Sequence, residues 1–403
     1  MTGTDAERAF RFEYDPGVVH FGSGVTADLG AEMARQGFER ALVVCGSTVG
    51  STPAVIDPVT EGLGDYLAGV FDETTPQKRL STAFDALDAA HSVDADVLVG
   101  LGGGSSLDVA KVTSVLAASE REPEAVGREL TERGTISVPD SGLLPVFAVP
   151  TTLAGADLSM VAGVTAGPER GLVRGEASGG IGNRRLMPRA VVADPELVAT
   201  TPKSILAGSA MNGFNKGIET LYADNRSPVT DATATEGLGR LASGLPALGE
   251  GTVDAATLEP VVAGILLVQY GISRPTGTTL SIIHAFGHGL TRTYEVQQGA
   301  AHAVVTPHVL RFLFERVDGR RDRLADALGV ADAEDPASAV VERVAAIRDA
   351  LDLPTRLRDV PGPEPEEFEA VAQAVLSDSF MANAPPGLDP SVADLVGVLE
   401  AAY

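Results

Sequence analysis

The sequence predicts an α/β amino-terminal half on a mostly parallel sheet, followed by an all-α carboxy-terminal half. Three observations carry this. Short apolar runs alternate with helical patterns through the first ~200 residues, which implies strands joined by covering helices. Residues 100–111 read Gly-Leu-Gly-Gly-Gly-Ser-Ser-Leu-Asp-Val-Ala-Lys directly after an apolar run, the signature of a strand feeding a helix. From Thr201-Pro202 onward the β-branched runs thin out and helical spacing dominates.

The elements follow in order. Ala41–Cys45 is a strand candidate, followed by the glycine-containing turn Gly46-Ser-Thr-Val-Gly50. Leu80–His91 has the spacing of an amphipathic helix, and residues 95–99 form the strand entering the glycine triplet. Val146–Val149 ends at Pro150, and Ala190–Ala193 ends at Asp194-Pro195. Thr201 is placed as a helix N-cap with Pro202 at N1. These signals set a domain boundary near residue 197. The proline-rich stretch Asp359–Glu366 is the one linker-like connection.

Composition narrows the function classes. The 403 residues exceed what one core usually serves, so two domains are expected. Acidic residues number 55 against 30 basic, a net charge of −25. Nucleic acid and anionic membranes both need a basic face, so neither is a partner. The dispersed acidic surface has only four lysines, Lys78, Lys111, Lys203 and Lys216, and suits high salt, where self-repulsion is screened. No charge-free run of about 20 apolar residues occurs, so no span is expected. Met1–Arg8 lacks the basic start and apolar core of an export signal. Cys45 is the single cysteine, which rules out an internal disulfide or a cysteine zinc site. A cytoplasmic protein is expected.

The glycine turn reads as a phosphate site. Unpaired N–H groups at a helix start favour an anion, and Gly102, Gly103 and Gly104 let a pyrophosphate approach the backbone. Ser105 and Ser106 add hydroxyls, and Asp108 and Lys111 share a helix face at i, i+3. Tight packing is the alternative use of such a turn. The Walker-type loop pattern is absent, and Ser105 stands where a dinucleotide fingerprint needs its third glycine.

In the helical half Asn212 and Lys216 lie at i, i+4, as do His284 and His288, and Gln298 follows. Two histidines on one helix face can bind a metal, or can cap and pack within a helical core. His302 and His308 precede a further helix, and His308, after Pro307, reads as a cap or buried hydrogen-bonder. His20 and His91 carry no supporting context.

Six segments occur in the order and at the spacing of a known family: Phe21–Gly24, Gly102–Lys111, Val149–Thr152, Asp194–Leu197, His284–His288 and Thr306–Leu310. Over nearly its full length the chain resembles the iron-containing (group III) alcohol dehydrogenases, and most of all their maleylacetate reductase-like branch. That branch is matched by Pro150–Ser159, Met211-Asn212 and Leu221–Pro228. The resemblance implies the dehydroquinate synthase-like fold. Residues 1–197 would be a Rossmann-like dinucleotide-binding domain and 198–403 an all-helical catalytic domain, with a catalytic cleft between them. It implies hydride transfer between NAD(P)(H) and a small alcohol or carbonyl substrate, and a homodimer. Cofactor contacts carry over to Gly46, Ser47, Gly102, Gly103, Gly104, Ser105, Asp108, Lys111, Thr151 and Thr152.

The chain departs from this family at the metal. The family's aspartate and three histidines fall on Asn212, Lys216, His284 and Gln298, so only His284 survives. An ammonium and two neutral amides are poor ligands for a divalent cation, and no tightly bound metal is expected. Lys216 is then the candidate electrophile and general acid, since a cation can stabilise developing alkoxide charge. Asn212 and Gln298 would orient the substrate oxygen, His284 would share or relay the proton, and His288 matches the family histidine beside the nicotinamide. A paralogue that lost its metal and only binds nucleotide is the rival reading.

The family often has an aspartate after the second strand that binds the ribose hydroxyls. Gly46 stands there, which leaves the cofactor dual or NADP(H)-leaning. Carboxylates on a maleylacetate-like substrate would need a cation, for which Arg184, Arg185 and Arg274 are candidates.

Overall fold

The computed structural model describes residues 9–119, 121–251 and 253–403, so the Met1–Arg8 segment read for an export signal lies outside the described residues. The chain separates into two units. An α/β unit comprises Asp15–Thr201 with Asp254–Glu259, and a helical unit comprises Pro202–Val253 and Pro260–Tyr403 with the described residues up to Tyr14.

The α/β unit runs β1 (Val18–Phe21), α1 (Leu29–Gln36), β2 (Ala41–Gly46), α2 (Ser47–Gly50), α3 (Pro53–Leu63), β3 (Leu67–Thr74), α4 (Leu80–Ser92), β4 (Val97–Gly102), α5 (Gly104–Ala117), α6 (Pro123–Arg133), β5 (Val146–Pro150), β6 (Val161–Ala166), β7 (Ala177–Gly182), β8 (Ala190–Ala193) and α7 (Pro195–Val198). Six strands form one sheet in the order β1-β8-β5-β4-β2-β3, every pair parallel. Strands covered on both faces need apolar residues at every position. On β2, Leu42 and Val44 pack with α4 and α5 residues such as Leu87 and Val112, while Val43 and Cys45 pack with Leu29 and Val59 on the other face. The hairpin β6–β7 is antiparallel, an element the sequence does not announce because its strands are rich in glycine and alanine.

Two quoted motifs meet at Asp194. Its carboxylate caps α7 through Glu196 N–H at 3.0 Å and also accepts from Gly24 N–H at 3.1 Å and Thr26 Oγ1–H at 2.9 Å. One carboxylate thus ties the end of β8 to the turn after β1 and satisfies helix-start donors at both.

The helical unit contains α8 (Lys203–Tyr222), α9 (Pro228–Glu250), α10 (Ala255–Gln269) from Pro260 onward, α11 (Ile282–Thr291), α12 (Gln298–Arg316), α13 (Arg321–Ala327), α14 (Pro336–Ala350), α15 (Phe368–Leu376) and α16 (Val392–Ala402). None of the described helices is long and apolar enough to cross a membrane. Thr201 is not the N-cap of α8: Pro202 takes that position, and the Thr201 hydroxyl donates instead to the Thr151 carbonyl at 2.8 Å. Small residues let α12 reach α8, since a Cβ on Gly299 would lie 2.1 Å from the Gly208 carbonyl oxygen. That approach sets the start of α12, and Gln298, beside the turn of α8 preceding Asn212.

Candidate active site and nucleotide turn

In the α/β unit, β4 ends at Gly102 with φ +130°, a conformation open mainly to glycine, and α5 starts at Gly104 without a side-chain cap. A Cβ on Gly103 would come 3.2 Å from the Thr152 methyl, and one on Gly104 would come 3.4 Å from Ala156. Thr151 N–H donates to the Gly102 carbonyl at 3.0 Å, which sets Thr151 and Thr152 against the turn. Ser106 is turned inward, its hydroxyl 2.8 Å from that of Thr74. Gly46 is the extended N-cap of α2, and Ser47 beside it is exposed.

Asp108 and Lys111 do other work than the cofactor contact expected of them. Asp108 accepts from Lys78 Nζ at 2.5 Å and from Gly163 N–H at 3.1 Å. Lys111 is wholly buried, and its ammonium donates to the carbonyls of Ser159, Ala156 and Val161 at 2.6, 3.2 and 3.3 Å. Burial pulls its pKa down to about 8, against the pull of Asp108 and Asp157. Both side chains brace the segment 156–163. Lys111→Met should therefore strand three carbonyls. A loss of about 3 kcal/mol is expected, roughly 6–10 °C in melting temperature by calorimetry.

The helical unit assembles the second cluster. On α8, Asn212, Lys216 and Glu219 lie at i, i+4 and i+7, one face of the helix. Lys216 Nζ donates to Gln269 Oε1 at the end of α10, 2.9 Å away. From α11, His284 reaches both ends of that face. Its backbone N–H donates to Glu219 Oε1 at 2.9 Å, its Nδ1 meets Glu219 Oε2, and its Nε2 lies 3.1 Å from Asn212 Oδ1.

With Asn212 Oδ1 accepting, Nε2 of His284 carries hydrogen, and a neutral ring then takes its other hydrogen bond from the Glu219 carboxyl at Nδ1. The electrostatics agree. Burial pushes Glu219 up to about 8, despite the N–H groups of His284, Ser281 and Ile283. Burial, with Lys216 and His288 nearby, holds His284 well below its ordinary value. Glu219, Gln269, Asp378 and Phe380 escaped the sequence reading; Glu219 alone had a signal, its place one turn beyond Lys216 on the same face.

His288 points its Nδ1 at Asp378 Oδ2, 2.8 Å away, and its ring lies 4.9 Å from that of Phe380. Burial works against the Asp378 carboxylate, yet His288, the Phe380 N–H and Arg292 hold it below the usual range. His302, one turn along α12 from Gln298, is fully buried, its ring edge-on to His284 at 4.5 Å. Neither of its ring nitrogens meets a hydrogen-bond partner among the described residues. Gly287 makes room for it, since a Cβ there would lie 2.3 Å from His302 Nε2. His308 is no buried hydrogen-bonder through Nδ1, which lacks a partner, and burial drops its pKa to about 4. His20 bonds Glu32 at 3.1 Å, and His91 lies in the last turn of α4.

The arginines divide. Arg185 is spent on the Pro139 carbonyl and Asp140, and Arg184 shares its short 3-10 turn. Arg274 is buried, donating to the Asn225 carbonyl at 3.2 Å, and its Nη1 has no partner. Asn225 lies beyond the C-terminal end of α8, away from Asn212 and Lys216.

No group of three or more His, Cys, Asp or Glu side chains that could hold a metal occurs among the described residues. The residues at the family's ligand positions do not fit a divalent cation either. Lys216 offers only donors, both ring nitrogens of His284 are engaged, and Asn212 turns its oxygen to His284.

Residues 16–195 match the iron-containing alcohol dehydrogenase family, and residues 206–403 match the C-terminal domain of the Fe-containing alcohol dehydrogenase family. Maleylacetate reductase 2 of Cupriavidus pinatubonensis is 29% identical over 334 residues, 82% of this chain and 80% of that one. Maleylacetate reductase of Pseudomonas aeruginosa is 27% identical over 371 residues, 92% of each chain. Sulfoacetaldehyde reductase from Bifidobacterium kashiwanohense, solved in complex with NAD+, shares the fold with a TM-score of 0.84 at 18% identity, over 98% of this chain and 99% of that one. The chain belongs to the iron-containing alcohol dehydrogenase family of oxidoreductases.

Proposed function

We propose that this protein is an NAD(P)-dependent reductase of a small carbonyl substrate, or dehydrogenase of the matching alcohol, in which Lys216 does the work that a metal does elsewhere in the family. The observation that carries the reading is the ammonium of Lys216 at a ligand position, held by Gln269 next to the Asn212–His284–Glu219 chain.

The glycine turn fits a dinucleotide, because α5 starts there without a side-chain cap and its first backbone N–H groups suit a pyrophosphate. Gly102–Ser105, Thr151 and Thr152 would hold it, with Gly46 and Ser47 towards the adenosine. A bound nicotinamide supplies or receives the hydride. Lys216 stabilises the charge that develops on the substrate oxygen and gives it a proton. With its oxygen committed to His284, Asn212 keeps Nδ2 to orient the same substrate atom, and Gln298 assists. His284, backed by the Glu219 carboxyl, shares the proton, and His288, set by Asp378, orders the nicotinamide side.

The kinship with maleylacetate reductases suggests a 4-oxo-dicarboxylate as substrate. A homodimeric cytoplasmic enzyme working in high salt completes the reading. The test follows oxidation of NADH and NADPH in molar salt on a carbonyl panel including 4-oxo-dicarboxylates. Chelator-treated protein is used, with and without added Fe²⁺ or Zn²⁺. Undiminished turnover after chelation is the expected result. Turnover only with added metal would overturn the role of Lys216, and nucleotide binding with no turnover on any substrate would favour a non-catalytic paralogue.

A further inference from the structure

The edge strand β3 takes two extra residues against β2, the second of them near its end. Val44 pairs with Phe71 and Gly46 with Thr74, so two steps along β2 match three along β3. Such a bulge breaks the alternation of a strand and re-aims a side chain. Phe71 and Thr74 are both buried, and Asp72 and Glu73 between them are both exposed. Thr74 locks the bulge to the glycine turn through the Ser106 hydroxyl at 2.8 Å. The Thr74 carbonyl also closes on Gly46, where a Cβ would sit 3.1 Å from its oxygen.

The bulge leaves Asp72 against α2, just after the position where a ribose-binding carboxylate is missing. A Cβ on Gly50 would come 2.6 Å from the Asp72 Cβ and 3.0 Å from its Oδ2, so glycine at position 50 lets the acid lie there. Its charge reaches β2 as well: burial and then Asp72 push the Cys45 thiol up to about 12. Among the described residues no cation pairs with Asp72.

We propose that Asp72 makes this protein select NAD(H) over NADP(H), supplying from β3 the carboxylate that position 46 lacks. It accepts hydrogen bonds from the adenosine ribose hydroxyls and repels a 2′-phosphate. The inference rests on the proposed reading of Gly46–Ser47 and Gly102–Ser105 as the nucleotide site, and it replaces the dual or NADP(H)-leaning preference inferred from Gly46 alone.

Binding can be read without turnover, from the fluorescence of the reduced nicotinamide as NADH or NADPH is titrated at one fixed ionic strength. The proteins are wild type, Asp72→Asn and, as a control on the same bulge, Glu73→Gln. The wild type should bind NADH at least about tenfold more tightly than NADPH, a difference of about 1.4 kcal/mol. Asp72→Asn should close most of that gap by tightening NADPH, and Glu73→Gln should leave it. Equal binding of the two nucleotides by the wild type, or a ratio unmoved by Asp72→Asn, overturns the selectivity assigned to Asp72 and leaves the nucleotide site standing. Binding of neither nucleotide by the wild type overturns both the site and the inference built on it.

Discussion

Lys216→Ala lowers kcat/KM for carbonyl reduction by about 10²–10³-fold, the usual cost of removing one group that stabilises a developing oxyanion. The affinity for NADH stays within about twofold, because the turn proposed to bind the nucleotide belongs to the α/β unit and Lys216 to α8. Gln269 loses its partner, but a side-chain amide at a helix end can turn to water, so the variant folds. Lys216→Arg separates charge from proton transfer. It keeps the positive charge but is too weak an acid to give up a proton, so it recovers ground-state binding and little of kcat. Full turnover by Lys216→Ala would remove the lysine from the mechanism.

A triple variant, Asn212→Asp, Lys216→His and Gln298→His, should convert the chain from one that holds no metal after dialysis to one that retains about one equivalent of Zn²⁺ or Fe²⁺. The replacement restores an aspartate and two imidazoles around His284, a donor set that suits a divalent cation. The scaffold is in place for it. Glu219 already meets Nδ1 of His284, so the carboxylate that orients a ligand histidine from behind is present before the metal is. Replacing Asn212 also removes the amide oxygen that faces Nε2. Metal content after dialysis, by elemental analysis, reads the outcome. A triple variant that stays metal-free would mean that these four positions do not converge, and would break the carry-over on which the role of Lys216 depends.

Fold class and the glycine turn were legible because their signals are local. A run such as Ala41–Cys45 is apolar at every position, which only a strand covered on both faces tolerates, and Gly102–Gly104 announces a strand-to-helix turn by composition alone. The helical spacing of Asn212 with Lys216 and of His284 with His288 was legible for the same reason. The lysine at a ligand position stood out against a chain with only four.

What each side chain faces was not legible. Asp108 and Lys111 share a helix face in the sequence, yet burial commits one to Lys78 and Gly163 and the other to three carbonyls. Glu219 becomes the partner of His284 only because α11 starts against α8, 65 residues along the chain. Asp72 reaches α2 only because β3 takes an extra residue opposite Val44–Gly46. By itself the sequence determined the two kinds of architecture and the family, since periodicity, composition and residue identity are properties of the chain. Tertiary structure alone decided which donors meet which acceptors. Most buried polar groups find a partner where packing brings one, and packing joins segments far apart in the chain.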